Sequence, residues 1–144
     1  MRMDTIYLDN CCFCRLFDTK TQPKIIAEAD KIQNIIDNRI IGGYRIIGSF
    51  VVEFEMGDID DYEKREAVEA VYDDAICDEV ELSVQTLARA DDLHLMGLGV
   101  MDSRHLAAAE AAGAKFLLTT DEKFIRKCAN KNLSKVRVIN PLDF

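Results

Sequence analysis

The sequence predicts an α/β fold, a central parallel sheet of four to five strands with helices on both faces. Two observations carry this reading. Short apolar runs alternate with amphipathic stretches along the chain, the order that parallel βαβ units require. Those runs are apolar throughout rather than at every second residue, as in strands buried on both sides. A chain of 144 residues is long enough to bury one core. No linker, repeat or low-complexity segment divides it, so residues 1–144 are expected to form one domain.

Thr5 to Leu8 is the first apolar strand, ending at Asp9, and a helix or turn is expected from Asn10 to Phe17. Asp18 to Pro23 interrupts it. Pro23 opens an amphipathic helix whose stripe is Ile25, Ala29, Ile32, Ile36 and Ile40, closed by Gly42 and Gly43. Tyr44 to Gly48 is the second strand, and Ser49 is placed to cap a helix running to about Met56. After a turn at Gly57 to Asp61, Ala67, Val68, Val71 and Tyr72 mark a third amphipathic helix, with Asp60 and Glu63 as its expected capping pair. Glu79 to Leu82 is a weaker third strand. Ser83 caps a helix carrying Leu87, Ala90 and Leu93, and Gly97 and Gly99 close it. An alanine-rich helix from Met101 to Gly113, a strand from Lys115 to Thr119, a basic helix from about Glu122 to Asn130 and a strand from Val136 to Ile139 complete the chain. Asn140-Pro141 stops the last of these.

Composition narrows the function classes. No run approaches the roughly 20 apolar residues that span a bilayer, and the N-terminus places an acid where a signal peptide needs its apolar region. A cytoplasmic protein without a membrane partner is expected. Five cysteines, three of them crowded at Cys11, Cys12 and Cys14, fit neither a disulfide framework nor a paired zinc spacing and read as reduced thiols. The net charge of −8 argues against a nucleic-acid partner only until its distribution is considered. Glu53 to Leu82 holds 13 acids against Lys64 and Arg65, whereas Lys115 to Phe144 holds seven bases against three acids. One face can therefore be basic while another is acidic.

Sites in parallel α/β sheets form beyond the carboxyl ends of the strands, where helices begin. Four carboxylates are expected there. Asp9 ends the first strand. Glu53 lies one turn into the helix after the second, inside the apolar SFVVEFEM. Asp102 opens the alanine-rich helix, and Asp121 follows the fourth strand. Each alone reads equally well as a cap, a turn residue or a buried ion-pair partner. Together they repel one another unless a cation sits among them, and carboxylate oxygens are the natural ligands of Mg²⁺ or Mn²⁺.

At these residues the chain resembles the PIN-domain nucleases, close to the toxin ribonucleases of bacterial and archaeal toxin–antitoxin pairs. The matching segments are YLDNCCF, SFVVEF, MDSRHLAAAEAAGA, LLTTDEKF and the terminal NPLDF, spread over nearly the full length in the family's order. The resemblance implies that Asp9, Glu53, Asp102 and Asp121 are a catalytic quartet binding one or two Mg²⁺ or Mn²⁺ ions, with the Thr119 hydroxyl nearby. It also implies an RNA substrate cut to a 5′-phosphate and a 3′-hydroxyl, a small antitoxin protein as partner, and a homodimer.

Other residues carry weaker readings. His105, one turn after Asp102, is a candidate for the site mouth, although a packed or solvent-facing residue is the commoner role. Arg15, Lys123, Arg126 and Lys127 flank Asp9 and Asp121 as candidate RNA-phosphate contacts, against the plainer reading of a solvated face. Phe13, Phe17 and Phe50 read as core rather than base-stacking groups. No Gly-rich phosphate loop is present, and the second aspartate that a phosphatase nucleophile at Asp9 requires is replaced by Cys11. The alternative to a nuclease is a non-catalytic PIN-like module that binds RNA or protein.

Overall fold

The computed structural model describes residues 3–144. Five parallel strands, β1 (Asp4–Leu8), β2 (Tyr44–Ser49), β3 (Ile76–Val80), β4 (Phe116–Leu118) and β5 (Arg137–Ile139), form a sheet in the order β3-β2-β1-β4-β5. The connecting helices are α1 (Asn10–Arg15), α2 (Pro23–Asp37), α3 (Arg39–Gly42), α4 (Phe50–Gly57), α5 (Tyr62–Ala75), α6 (Val84–Leu95), α7 (Val100–Ala111) and α8 (Glu122–Lys131). A 3₁₀ turn, Pro141–Asp143, follows β5. No helix among the described residues is long and apolar enough to cross a membrane.

The strand order fixes where a site can form. From β1 the chain steps outward to β2 and β3, then returns past β1 to β4 and β5. Crossovers of this kind are right-handed, so α2 and α5 cover one face and α7 and α8 the other. Neighbouring strands β1 and β4 therefore send the chain to opposite faces, opening a crevice beyond Leu8 and Leu118, which are in register. Beneath it Ile6, Tyr7, Leu8, Leu117 and Leu118 are fully buried. Ala107, Ala108 and Ala109 on α7 are buried as well, and their small side chains let that helix lie close to the sheet.

Several sequence expectations shift. The third strand is Ile76–Val80, earlier than expected, because Ile76 turns extended directly after α5. It is an edge strand with exposed Cys77 and Asp78, so it lacks the apolar run that marks the others, and its register slips between Ile46 and Ile47 of β2. The helix from Pro23 breaks at Asn38, where φ is −101° and ψ 14°; Ile40, assigned to its apolar stripe, is 82% exposed. Asp61 rather than Asp60 caps α5, accepting from the Lys64 amide. Helix α7 begins at Val100 with Gly99 at its cap, which leaves Asp102 inside the first turn.

Gly48 is a packing requirement rather than a turn. A Cβ there would fall 2.1 Å from the Tyr72 hydroxyl, and that hydroxyl accepts from the Ser49 amide at 3.0 Å. Gly48→Ala is expected to destabilise the protein by about 1–3 kcal/mol, the usual range for overpacking. Denaturant unfolding of the two proteins measures it, and an unchanged midpoint would contradict the contact.

Candidate active site

The ladder between β1 and β4 positions the first carboxylate. The Asp9 amide donates to the Leu118 carbonyl at 3.0 Å, and the residue is 6% exposed. Its Oδ2 accepts from the buried Thr119 hydroxyl at 2.9 Å, and the same hydroxyl oxygen accepts from the Asp121 amide at 3.1 Å. One threonine thus joins the turns after two neighbouring strands. Asp121 caps α8, with Oδ1 accepting from the Lys123 and Phe124 amides. Asp102 faces the same crevice from α7. Burial, and then the charges of Asp9 and Asp121, push its carboxyl up to about 6.

The fourth acid is not the one expected from sequence. Glu53 is exposed and faces Glu79 of β3; the neighbouring Glu79 carboxyl, then burial and nearby Asp73, raise its pKa. Glu55 stands at the crevice instead, with its carboxylate against His105 Nε2. The reason is helical geometry. Ser49 caps α4 by accepting from the Val51 and Val52 amides at 3.2 Å each, and the helix buries Val51, Val52 and Met56. Glu55 lies four residues from Val51 and three from Val52, on that inward face, whereas Glu53 projects about 60° beyond its edge at Met56. The signal was in the sequence: the apolar positions of α4 point to Glu55 once projected.

His105 is the residue whose position sequence reasoning resolved least. It is 1% exposed, and Nε2 lies 3.2 Å from Asp9 Oδ1 as well as against Glu55. Burial opposes its charge, but Asp9 and Glu55 outweigh that effect and raise its pKa to about 9. The imidazolium donates from Nδ1 to the Tyr7 hydroxyl at 2.6 Å, and Tyr7 donates to Ser49 Oγ at 2.6 Å. Burial raises the Tyr7 phenol well above its ordinary value, so it stays neutral. His105 is both packed and at the site.

The basic candidates divide. Arg15 is held between Asp18 (2.9 Å) and the buried Glu28 (3.3 Å), which also accepts from Asn140 at 2.7 Å. It braces α1 against α2 and the C-terminal turn. Lys127 donates to the Gly97 carbonyl at 3.1 Å. Lys123 and Arg126 are exposed on α8, on the chain just after Asp121. Phe13 is core as expected, Phe50 is half-buried and Phe17 is 40% exposed. The cysteines are free thiols, and Cys11 lies 3.3 Å from the Thr119 hydroxyl.

This donor set fits a divalent cation. Asp9, Glu55 and His105 each offer a ligand atom, all within 4.8 Å of one another, and Asp102 and Asp121 add charge beside them. The raised Asp102 carboxyl reflects first its burial and then the negative charge of Asp9 and Asp121 beside it.

A family model described as PIN domain matches residues 6–130. No curated protein matches the chain. Three solved structures share its fold at low identity. VapBC2 from Rickettsia felis, bound to a DNA fragment from their promoter, aligns with a TM-score of 0.58 and 14% identity over 94% of this chain and 98% of the other. FitAcB from Neisseria gonorrhoeae gives 0.59 and 13%, over 96% and 99%. Mycobacterium tuberculosis VapC20, a Sarcin-Ricin loop cleaving toxin, gives 0.62 and 12%, over 92% and 98%.

Electrostatics at His105 sets a pH dependence for the metal-free protein. Its pKa is raised from 6.5 to about 9 by folding, so its contribution is complete below about 6.5 and is lost as pH rises through about 9. Asp102, at about 6, titrates below that window. In chelator, wild-type stability is expected to fall by on the order of a few kcal/mol between pH 6.5 and 9. His105→Gln is expected to be less stable at pH 6 and to show a flatter slope; parallel slopes in denaturant titrations would contradict this.

Proposed function

This chain belongs to the PIN-domain family, and on that premise we propose that it is a divalent-metal-dependent endoribonuclease, the toxin of a toxin–antitoxin pair. We assign residues 1–144 to one cytoplasmic nuclease domain. The observation that carries the reading is the meeting of Asp9, Asp102 and Asp121 with Glu55, rather than Glu53, in the crevice between β1 and β4. These four residues would hold Mg²⁺ or Mn²⁺, as one or two ions. A divalent ion bound there supplies an activated water and offsets charge on the phosphoryl oxygens.

The chain's own groups do the positioning. Thr119 fixes Asp9 through Oδ2, which directs Oδ1 toward the crevice. Asp121 is oriented by its cap to α8, and Asp102 by the first turn of α7. Lys123 and Arg126 are the exposed cations suited to draw an RNA phosphate backbone across this edge. No side chain is assigned as a nucleophile. The acid-rich segment from Glu53 to Leu82 suits a basic segment of a small antitoxin, and the likeness to VapBC2 and FitAcB agrees with a partnered toxin. A homodimer rests on family resemblance.

One observation favours a second reading, a non-catalytic binding module. His105 already sets a positive charge against Asp9 and Glu55, which eases their repulsion without an ion.

Labelled structured RNA with Mg²⁺ or Mn²⁺ separates the two. Asp9→Asn and Glu55→Gln are each expected to lower cleavage by more than the roughly 10–100-fold typical of losing an outer-shell partner. Glu53→Gln should stay close to wild type. No cleavage by wild type with either metal would sink the nuclease reading, and loss with Glu53→Gln but not Glu55→Gln would reverse the assignment. For the toxin claim, induced expression should arrest growth and a short neighbouring reading frame should relieve it; absence of both removes that claim alone.

A further inference from the structure

We propose that His105 is itself a ligand of the metal centre, completing with Asp9 and Glu55 a mixed nitrogen–oxygen face that favours Mn²⁺ over Mg²⁺. The inference rests on the reading of the crevice as a divalent-metal site and adds a donor that an all-carboxylate quartet does not contain.

Geometry is the first support. Adjacent ligands of an octahedral ion with bonds of about 2.1 Å stand about 3 Å apart, and opposite ligands about 4.2 Å. His105 Nε2 lies 3.2 Å from Asp9 Oδ1, and the donor atoms of Asp9, Glu55 and His105 all fall within 4.8 Å of one another. In the metal-free protein Nε2 hydrogen-bonds Glu55 and forms an ion pair with Asp9. An ion held by Asp9, Glu55 and His105 would displace the Nε2 proton to solvent, and the ring would bind it as neutral imidazole.

The surroundings of the ring are those of a ligand histidine. Such a residue needs its second nitrogen held by a fixed partner, which sets the tautomer and the ring plane. Nδ1 meets the Tyr7 hydroxyl at 2.6 Å, and Tyr7 is itself fixed by Ser49 at 2.6 Å. The two rings pack edge to face, 5.6 Å between centroids. With Nδ1–H donating to the Tyr7 oxygen, Nε2 is free to bind a cation. Tyr7, from β1, is thus a positioning residue for a donor 98 residues away on α7.

Metal preference follows from the donor type. Carboxylate and water suit both ions, but Mg²⁺ holds to oxygen ligands and gives up its waters reluctantly, whereas Mn²⁺, a first-row transition ion, also binds at nitrogen-containing sites. Replacing one oxygen donor by nitrogen therefore shifts the preference toward Mn²⁺.

The chain has two histidines, and the other, His94, is exposed on α6 with Nδ1 on the Leu98 carbonyl at 2.7 Å. Electron spin-echo modulation of bound Mn²⁺ is therefore an assignable test. Imidazole ¹⁴N modulation is expected in wild type and His94→Gln and absent in His105→Gln. Competition titrations should show the Mn²⁺-over-Mg²⁺ ratio reduced roughly tenfold or more in His105→Gln, within the range for altered metal sites. Mn²⁺ bound to wild type without nitrogen modulation, or modulation lost only in His94→Gln, overturns His105 ligation and leaves the metal centre standing. No Mn²⁺ binding by wild type overturns the centre and the ligation together. If His105→Gln does not fold, the wild-type and His94→Gln spectra decide the question.

Discussion

Negative charge concentrated on one edge of a buried sheet is the constraint around which this protein is arranged. Asp9, Glu55, Asp102 and Asp121 arrive there from four separate elements, and every element has a reason to end at that point. Strands β1 and β4 send the chain to opposite faces, which opens the crevice, while α4 and α7 begin beside it and deliver carboxylates from their first two turns. Placing like charges together in a partly desolvated crevice is costly, and the Asp102 carboxyl records that cost by holding its proton up to about 6. Only positive charge relieves it. In the metal-free protein His105 supplies one unit from within the fold, and a divalent ion bound there would supply the charge in its stead.

The polar chain that holds His105 runs through the core rather than over the surface. Glu79 accepts from the Tyr72 hydroxyl at 2.5 Å, Tyr72 accepts from the Ser49 amide, and the Ser49 hydroxyl accepts from Tyr7. Tyr7 accepts from His105, which reaches Asp9 and Glu55; Asp9 then continues through Thr119 to the Asp121 amide. Buried polar groups are tolerated when their partners are complete, and such networks favour one arrangement of the elements that carry them. This one links β3, α5, β2, β1, α7, α4 and the start of α8. The same bonds that satisfy the core also orient the acids, so the stability and the geometry of the site have a common origin.

How much of this was legible in the sequence varied with the range of the interaction. Asp9, Asp102 and Asp121 were visible because each sits where a strand ends or a helix begins, a purely local cue. Glu55 was missed in favour of Glu53 because one helical turn was counted from Ser49, whereas the face that matters is set by Val51, Val52 and Met56. Ile40 was misplaced for a related reason: a stripe was extended past Asn38, where the backbone leaves the helix. The edge strand β3 lacks an apolar run because one side of it meets solvent. Arg15, a candidate phosphate contact weighed against a solvated face, is neither: it pairs with the buried Glu28, which Asn140 holds from the far end of the chain. His105 depends on Tyr7, and no local pattern announces a partner 98 residues away.

The direct test of the account is the position of the ion. Crystals grown with Mn²⁺ and measured near the manganese absorption edge give an anomalous difference map that needs no assumption about activity. The account predicts a peak in the crevice, within bonding distance of Asp9 and Glu55 and next to Asp102. A peak between Glu53 and Glu79, or none at the carboxyl edge of β1 and β4 at saturating Mn²⁺, would contradict it.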